Sequence, residues 1–373
     1  MAAPVVAFLL SALLPLSCSQ WSDQLAWLYN RQGTDHASAL ADAAASTCPD
    51  VCDCPPTFPV AMYCDGRGLA AVPSVPSHIK YLYLQNNAIT AVPDSALANA
   101  TSLVWLMLHH NQLTSEAIGA KAFLKLEALE RLYLQHNNLT SVPANLPRSL
   151  KELRINHNKI EKVTVADLEG MDNLSLLYLH DNAIADVGTS LKTLKSLMML
   201  DISSNKLTKV ITALQMLLLL EGLLFSYKPP VLPQVPDSLP EQLHQLYMEH
   251  NSIRSLPESF LTALTHLQYV RMAHNQLTDT GVPANAFNVS GLVELDLSFN
   301  RLERIPSVST SLQHLYLQAN QIKEFTLGSF CTFTDVSSFS RLQTLRLDGN
   351  ELSQEDIPSD SSLCLRLASA IDV

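Results

Sequence analysis

A single pattern of hydrophobic and polar positions recurs from Ile79 to Leu352. It follows the template L-x-x-L-x-L-x-x-N-x-L, in which x is any residue. The alternating L-x-L predicts a short β-strand with its leucines facing inward. The ninth-position asparagine predicts a side chain that hydrogen-bonds backbone groups where the chain turns. The copies begin at Ile79, Leu103, Leu129, Leu150, Leu174, Leu197, Leu243, Leu267, Leu292, Leu312 and Leu342.

This template is that of the leucine-rich repeat. No copy can bury its leucines alone, so the copies are expected to stack into a curved solenoid that needs a cap at each end. We therefore predict an α/β-type solenoid, a leucine-rich repeat horseshoe with short parallel strands on its concave face and disulfide-bonded caps. Its predicted parts are a cysteine-rich cap over residues 48–78, eleven repeats over residues 79–352, and a C-terminal ear repeat and cap over residues 331–373.

One interval in the repeat is too long. The template asparagines Asn205 and Asn251 are 46 residues apart, whereas the other intervals are 20 to 30 residues. Deleting the segment Ile211–Val235 gives KLTKVPDSLPEQL, which parallels NLTSVPANLPRSL in an earlier repeat. We predict that this segment is foreign to the repeat, as a retained intron or a gene-model error, and that Leu217–Leu220 cannot enter the stack without disturbing its register. The alternative is a functional loop.

The third, fifth and seventh template positions are expected to point away from the core, on the concave side of the sheet. Tyrosine, tryptophan and arginine are frequent there, and these residue types are typical of protein-binding surfaces. The alternative explanation is that tyrosine simply fits strands well. The candidate binding residues are Tyr83, Trp105, Arg131, Tyr133, Arg154, Tyr178, Tyr247, Tyr269, Arg271, Tyr316 and Arg346, with Tyr81 in the same columns.

Histidine repeatedly precedes the template asparagine. His110, His136 and His157 stand in successive repeats, and Asp181 comes next in the column. Because neighbouring strands lie about 4.8 Å apart, these side chains could stack. A zinc stripe is one interpretation, but no coordination geometry can be derived from the pattern. We favour a partly exposed polar column and predict no metal site.

Composition and charge exclude several classes of protein. With 24 Lys and Arg against 35 Asp and Glu, the net charge is −11, and hydrophobic residues make up 47% of the chain. This balance argues against a disordered chain and against a nucleic-acid-binding protein. Catalytic motifs such as G-x-S-x-G, H-E-x-x-H or a phosphate loop do not occur, so we predict no enzymatic activity and no cofactor.

The first 19 residues are typical of a secretory signal peptide, followed by a tail over residues 20–47 that we expect to be disordered. No later segment is apolar over a length that would span a membrane, so we predict a secreted protein without membrane contacts. Export favours disulfides over zinc for the six remaining cysteines. Cys48, Cys52, Cys54 and Cys64 allow three pairings, and Cys331 and Cys364 would close one loop. Export also makes glycan acceptors of Asn99, Asn138, Asn173 and Asn288.

Several longer stretches resemble the small leucine-rich proteoglycans of class II. They are the spacing C-x3-C-x-C-x9-C, CDCPPTFPVAMYCD at 52–65, LERLYLQHNNLT at 129–140, LYMEHN at 246–251, LRLDGNE at 345–351 and CLRLAS at 364–369. The resemblance implies binding to fibrillar collagen of type I, control of fibril diameter and crosslinking, and keratan sulfate or plain N-glycans at the four asparagines. It also implies the disulfides Cys48–Cys54, Cys52–Cys64 and Cys331–Cys364.

The chain departs from the family pattern at three places. The tail holds only Tyr29 where related tails are rich in sulfated tyrosine, and a fifth glycan acceptor is missing at Ser338. The collagen-contacting Glu and Lys of the family align with Glu351 and Ser353, so only the Glu is retained. We expect a secreted extracellular-matrix protein that binds fibrillar collagen and regulates fibril assembly and diameter. The alternative is a secreted ligand trap that binds a growth factor or a complement component on its concave face.

Overall fold

The computed structural model describes residues 48–207, 214, 217–226, 235–236, 239–331 and 339–373. The predicted signal peptide and tail lie outside the described residues, as do parts of the segment 211–235 and of the C-terminal ear.

The described residues form one parallel sheet of fourteen three-residue strands, each paired with its neighbours in chain order. The strands are β1 Ala61–Tyr63, β2 Tyr81–Tyr83, β3 Trp105–Met107, β4 Arg131–Tyr133, β5 Glu152–Arg154, β6 Leu176–Tyr178, β7 Met199–Asp201, β8 Gly222–Leu224, β9 Gln245–Tyr247, β10 Tyr269–Arg271, β11 Glu294–Asp296, β12 His314–Tyr316, β13 Thr344–Arg346 and β14 Ala370–Asp372. The predicted solenoid of stacked repeats is therefore confirmed.

The register follows from the alternation within each strand. The central residue of each strand points inward, and the central leucines of β2, β3 and β4 lie side by side as Leu82, Leu106 and Leu132. These three side chains are fully or almost fully buried. The flanking residues of the strand point outward and keep part of their surface exposed. A continuous apolar core thus forms only when each coil covers the next.

The template asparagines form the predicted ladder. Asn137 Nδ2 donates hydrogen bonds of 3.0 Å to the carbonyl oxygens of Leu108 and Leu134, and Asn137 Oδ1 accepts one of 3.0 Å from the Leu113 N–H. Two of these partners belong to the preceding coil, so the side chain joins neighbouring repeats. The residue before the asparagine adopts a left-handed conformation, as at His136 with φ 54°. This conformation turns the chain out of the strand and brings the asparagine inward.

Helical structure in the described part of the chain is short. The helices are α1 Val165–Leu168 and α2 Ser361–Cys364, with 3₁₀ turns at Ser115–Ala117, Ser190–Thr193, Leu327–Ser329 and Gln354–Asp356. The capping box of α1, in which the Asp167 carboxylate accepts from the Thr164 N–H at 2.6 Å, explains why a helix of one turn begins there. Within the described ranges, no helix has the length and apolar character needed to cross a membrane.

The expectation that Leu217–Leu220 could not enter the stack is wrong. Strand β8 pairs with β7 and β9 in unbroken register, with Leu223 between Leu200 and Leu246. Leu217, Leu220, Leu223 and Phe225 are buried. The physical reason is that Leu220, Leu223 and Phe225 keep the L-x-x-L-x-L spacing, and the interval of 46 residues divides into two steps of 23 about Lys228. The segment adds one more coil, although Lys228 replaces the template asparagine.

Disulfides close both caps. They join Cys48 to Cys54, Cys52 to Cys64 and Cys331 to Cys364, which is the pairing that the family resemblance implies. Strands β1 and β14 extend the sheet into these caps. Met62 and Cys64 occupy leucine positions in the first cap, and both are fully buried. The disulfide-bonded caps, with their end strands, shield the terminal coils of the core from water.

Candidate binding face

The outward side chains of the fourteen strands form one surface, which we call the concave face. All the aromatic and arginine residues predicted to bind lie on it. Tyr83 is on β2, Trp105 on β3, Arg131 and Tyr133 on β4, Arg154 on β5, Tyr178 on β6, Tyr247 on β9, Tyr269 and Arg271 on β10, Tyr316 on β12 and Arg346 on β13.

Five of these residues form the N-terminal cluster, namely Trp105, Arg131, Tyr133, Arg154 and Tyr178. The Arg131 guanidinium lies 5.0 Å from the centroid of the Trp105 ring, and the Tyr133 ring packs edge-on to Trp105 at 5.6 Å. Arg154 lies between two rings, 4.6 Å from the Tyr133 centroid and 4.9 Å from that of Tyr178. Such cation–π contacts hold the long arginine side chains in place before any partner binds.

Glu152 on β5 supplies the counter-charge of the N-terminal cluster. Its Oε1 accepts a 2.6 Å hydrogen bond from Arg154 Nε, and its Oε2 lies 3.6 Å from Arg131 Nε. Burial, with Glu152 close by, raises the pKa of the Tyr133 phenol. The sequence prediction does not include Glu152, because it rests on the aromatic and arginine residues of the outward columns. Its spacing of two residues from Arg154 was the available signal.

A smaller C-terminal cluster is built in the same way. The Arg271 guanidinium lies 4.9 Å from the Tyr247 ring centroid, and Arg271 Nε donates a 2.7 Å hydrogen bond to Glu294 Oε1. Burial raises the pKa of Tyr247 to about 12. At the end of the sheet, Arg346 pairs with Asp348 at 2.9 Å. The Tyr247 phenol therefore stays neutral at physiological pH, and Arg271 and Arg346 are paired with carboxylates.

Strands β7 and β8 separate the two clusters. Their outward residues are Met199 and Asp201 on β7 and Gly222 and Leu224 on β8. Gly222 has no side chain, and this leaves room for the side chain of Met199. A Cβ at position 222 would collide with Met199 Cε. Tyrosine and arginine are absent from the outward positions of these two strands. The sequence-predicted candidates thus fall into two groups.

The concave face continues into the N-terminal cap. The Tyr83 ring stacks on that of Tyr63 on β1, with 4.5 Å between centroids and 12° between planes. Phe58 and Tyr81 stack next to them at 5.4 Å. Sequence analysis did not include Tyr63 or Phe58, because no strand was predicted in the cysteine-rich cap.

Several buried polar atoms on the concave face or just beyond the ends of its strands have no hydrogen-bond partner among the described residues. They are the Trp105 Nε1, the Gln85 Oε1 and the Gln135 Oε1 atoms. A buried donor or acceptor without a partner costs about 1–3 kcal/mol.

The histidine column stacks as the strand spacing suggested. Ring centroids of His110 and His136 are 4.1 Å apart, as are those of His136 and His157. Burial, with its two histidine neighbours, lowers the pKa of His136 to about 4. At its end, the column places three potential metal ligands, His157, His180 and Asp181, with ligand atoms all within 4.8 Å of one another.

The remaining predicted site residues lie outside the strands. The four predicted glycan acceptors, Asn99, Asn138, Asn173 and Asn288, are exposed. Glu351 is exposed as well, beyond the end of β13, and its N–H donates to the Ile322 carbonyl oxygen. Ser353 at the following turn donates from both N and Oγ to the Asp356 carboxylate. The collagen contact implied by the family therefore lies at an edge of the solenoid, not among the clusters.

Comparison with known proteins identifies relatives of both the repeat and the whole chain. Family models described as leucine rich repeat match residues 77–139, 148–207 and 263–284. Fibromodulin of Bos taurus is 51% identical over 326 residues, covering 87% of this chain and 80% of that protein. Lumican of Gallus gallus is 41% identical over 332 residues, covering 88% and 90%. The solved structure of an internalin from Listeria monocytogenes shares the fold, with a TM-score of 0.66 at 22% identity over 93% of each chain.

Proposed function

The chain belongs to the small leucine-rich proteoglycans, the family of fibromodulin and lumican, and from this we propose that it is a secreted extracellular-matrix protein that binds fibrillar collagen and regulates fibril assembly and diameter. The observation that carries the proposal is the N-terminal cluster, in which Arg154 is held between Tyr133 and Tyr178. We assign no catalytic role, because the relatives and the repeat family are not of a catalytic kind.

The shape of the concave face suits a long, proline-rich ligand. Collagen is a rod-like triple helix of three extended polyproline-like chains, each with a glycine at every third position. Aromatic side chains pack well against proline rings in other recognition surfaces of this kind. Fourteen strands at about 4.8 Å spacing span roughly 60 Å, which is room for many residues of a rod-like ligand.

Preorganisation favours tight binding at the N-terminal cluster. Ordering a flexible arginine on binding costs about 0.5–1.5 kcal/mol of side-chain entropy. Arg154 has already lost that freedom, because its side chain is 17% exposed and hydrogen-bonded to Glu152. The partly exposed Arg131 can still turn toward an acidic group of the ligand while it keeps contact with Trp105.

We place a second collagen contact at Glu351, following the family resemblance. Its carboxylate is exposed and can pair with a lysine or arginine of the triple helix. N-glycans, plain or extended as keratan sulfate, are proposed at Asn99, Asn138, Asn173 and Asn288. These positions are exposed and lie outside the strands, so sugar there leaves the concave face free.

The proposal is tested by pull-down on type I collagen fibrils and by turbidity during fibril formation, with fibril diameters measured by electron microscopy. We expect the parent protein to bind, to slow fibril growth and to give thinner fibrils. Glu351→Gln should weaken binding several-fold, and the exposed Glu355→Gln is the matched control. Unchanged turbidity and diameters at saturating protein would contradict the proposal. In that case, capture of a growth factor or a complement component would support the ligand-trap alternative.

A further inference from the structure

The end of the histidine column holds a group of side chains that the collagen proposal does not use. His157 Nε2 lies 3.6 Å from Asp181 Oδ2, and His180 lies beside them, its ring edge-on to that of His157 at 5.3 Å. The three ligand atoms are all within 4.8 Å of one another. Zinc in a tetrahedral site holds its ligands at about 2.1 Å, so they are about 3.4 Å apart. Small side-chain rotations would bring this group to that spacing.

A carboxylate lies behind one of the three residues. His180 Nδ1 is 2.9 Å from Asp201 Oδ2, and Asp201 is almost fully buried. When Nδ1 carries the proton, Nε2 presents its lone pair to a metal. His180 Nδ1 makes no aligned hydrogen bond to any described residue, and a small rotation of the ring would let the Asp201 carboxylate accept one and hold that tautomer. Metal-bound histidines in proteins are commonly oriented by such a carboxylate. In the structure, Nε2 is 2.9 Å from the Asn156 amide nitrogen, which a metal ion would displace.

The charges also fit a divalent cation. Asp181 and Asp201 supply two negative charges to balance the two positive charges of the ion, while the histidines bind in their neutral form. The side chains of His157, His180 and Asp181 are 38%, 21% and 27% exposed, so an ion can enter from solvent. Two imidazoles and one carboxylate are ligands that suit zinc.

We propose that His157, His180 and Asp181 bind one Zn²⁺ ion, with Asp201 as the positioning residue for His180 and a water molecule as the fourth ligand. The ion would lie at the border of the concave face, because the His180 ring is next to that of Tyr178, with 6.4 Å between centroids. A zinc ion there would add a fixed positive charge beside the N-terminal cluster.

The second histidine column shows what the site requires. His250 and His274 stack at 4.2 Å, and His274 stacks on Phe299 at 4.1 Å, so the packing is the same as in the first column. Phe299 stands where the first column has Asp181, and Ser298 stands before it, where the first column has His180. This column therefore has stacked imidazoles without the ligand set, and it supplies a matched control.

The test is calorimetric titration of the chelator-treated full chain with zinc chloride, followed by cobalt substitution. We expect one zinc site per chain, and visible absorption bands of tetrahedral Co²⁺ when cobalt is bound. His180→Gln and Asp181→Asn should each lower zinc affinity at least tenfold. Asp201→Asn should lower it about tenfold and shift the Co²⁺ bands, because the ring orientation changes while the ligands remain.

His274→Gln should leave zinc affinity unchanged, which separates the site from general binding to surface histidines. Circular dichroism of each variant confirms that it is folded. The proposal is overturned if the parent chain binds no zinc at a single site. It is equally overturned if His274→Gln reduces binding as much as His180→Gln does.

Discussion

The coils of β2 to β6 and the coil of β8 have the same interior and different exteriors. Both place apolar side chains at the inward strand positions in one continuous register, as Leu132 and Leu223 show. The first group adds the asparagine ladder and an outward surface of aromatic and arginine residues. The β8 coil has Lys228 at the ladder position in the sequence and presents Gly222 and Leu224 outward.

The difference separates what folds the solenoid from what gives it a binding surface. Inward apolar residues at the correct spacing suffice to form a coil, because burying them against both neighbours is the main driving force. The ladder and the outward columns are independent of that requirement. The β8 coil therefore interrupts the aromatic and arginine residues of the concave face without interrupting the sheet, and it leaves Leu218 72% exposed.

Deleting residues 211–235 has the largest expected effect. The deletion joins two ladder-bearing coils and removes the exposed Leu218 and Leu219, so we expect higher secretion and a rise in Tm of about 3–6 °C. Removal of residues 138–158, a coil with its template asparagine, is the control and should lower Tm. Differential scanning calorimetry measures both. We also predict that the predominant mRNA lacks the 25 codons of 211–235.

Two results would contradict the retained-intron hypothesis for residues 211–235. If the deletion variant melts at a lower temperature, or if tissue transcripts uniformly contain the segment, the retained-intron hypothesis fails. The β8 coil would then be a genuine part of the solenoid that divides its concave face into two clusters.

Asn137→Ala removes the template asparagine from a coil that has the ladder. The substitution removes hydrogen bonds to Leu108, Leu113 and Leu134 and leaves buried backbone groups without partners. We expect a loss of about 2–4 kcal/mol in the free energy of unfolding. Chemical denaturation measures the change, with the exposed Gln112→Ala as the control. Equal stability of the two variants would show that the ladder is not a stabilising element.

The sequence predicted every strand that carries the full template, because leucine spacing and the asparagine together specify one coil geometry. It missed β1, β8 and β14, where Met62, Phe225 and Ile371 fill leucine positions. Packing needs an apolar side chain of suitable size there, not leucine in particular. Ion-pair partners such as Glu152 with Arg131, and Asp201 with His180, were also missed. The two residues of each pair are about 20 positions apart and lie on neighbouring coils. Their contact can therefore be recognised only when the register of the strands is known.

His109 on the β3 coil makes the N-terminal coils sensitive to acid. Burial, with His110 and Arg154 nearby, lowers the pKa of His109 to about 4. The unfolded chain then binds more protons than the folded one below pH ~6.5, so stability falls as the pH falls from ~6.5 to ~4 and is unaffected above that range. The loss from this group is up to about 3 kcal/mol. Ser226 takes the equivalent position in the β8 coil.

The pH effect is measured by urea unfolding at several pH values. His109→Gln should remove part of the decline between pH 6.5 and 4, whereas the exposed His266→Gln should keep the slope of the parent. A His109→Gln variant that declines as steeply as the parent would show that this histidine does not respond to acid as its burial implies.

Affinity for type I collagen, measured in parallel for Arg131→Ala and Leu224→Ala, tests most directly whether the N-terminal cluster is the binding surface. Arg131 is partly exposed and contacts Trp105, whereas Leu224 lies on the same concave face in the β8 coil. We predict that Arg131→Ala weakens binding about five- to tenfold, because an anchoring arginine truncation costs about 1–1.4 kcal/mol, and that Leu224→Ala binds as the parent does. Equal affinities for Arg131→Ala and the parent, or a larger loss for Leu224→Ala, would contradict this assignment.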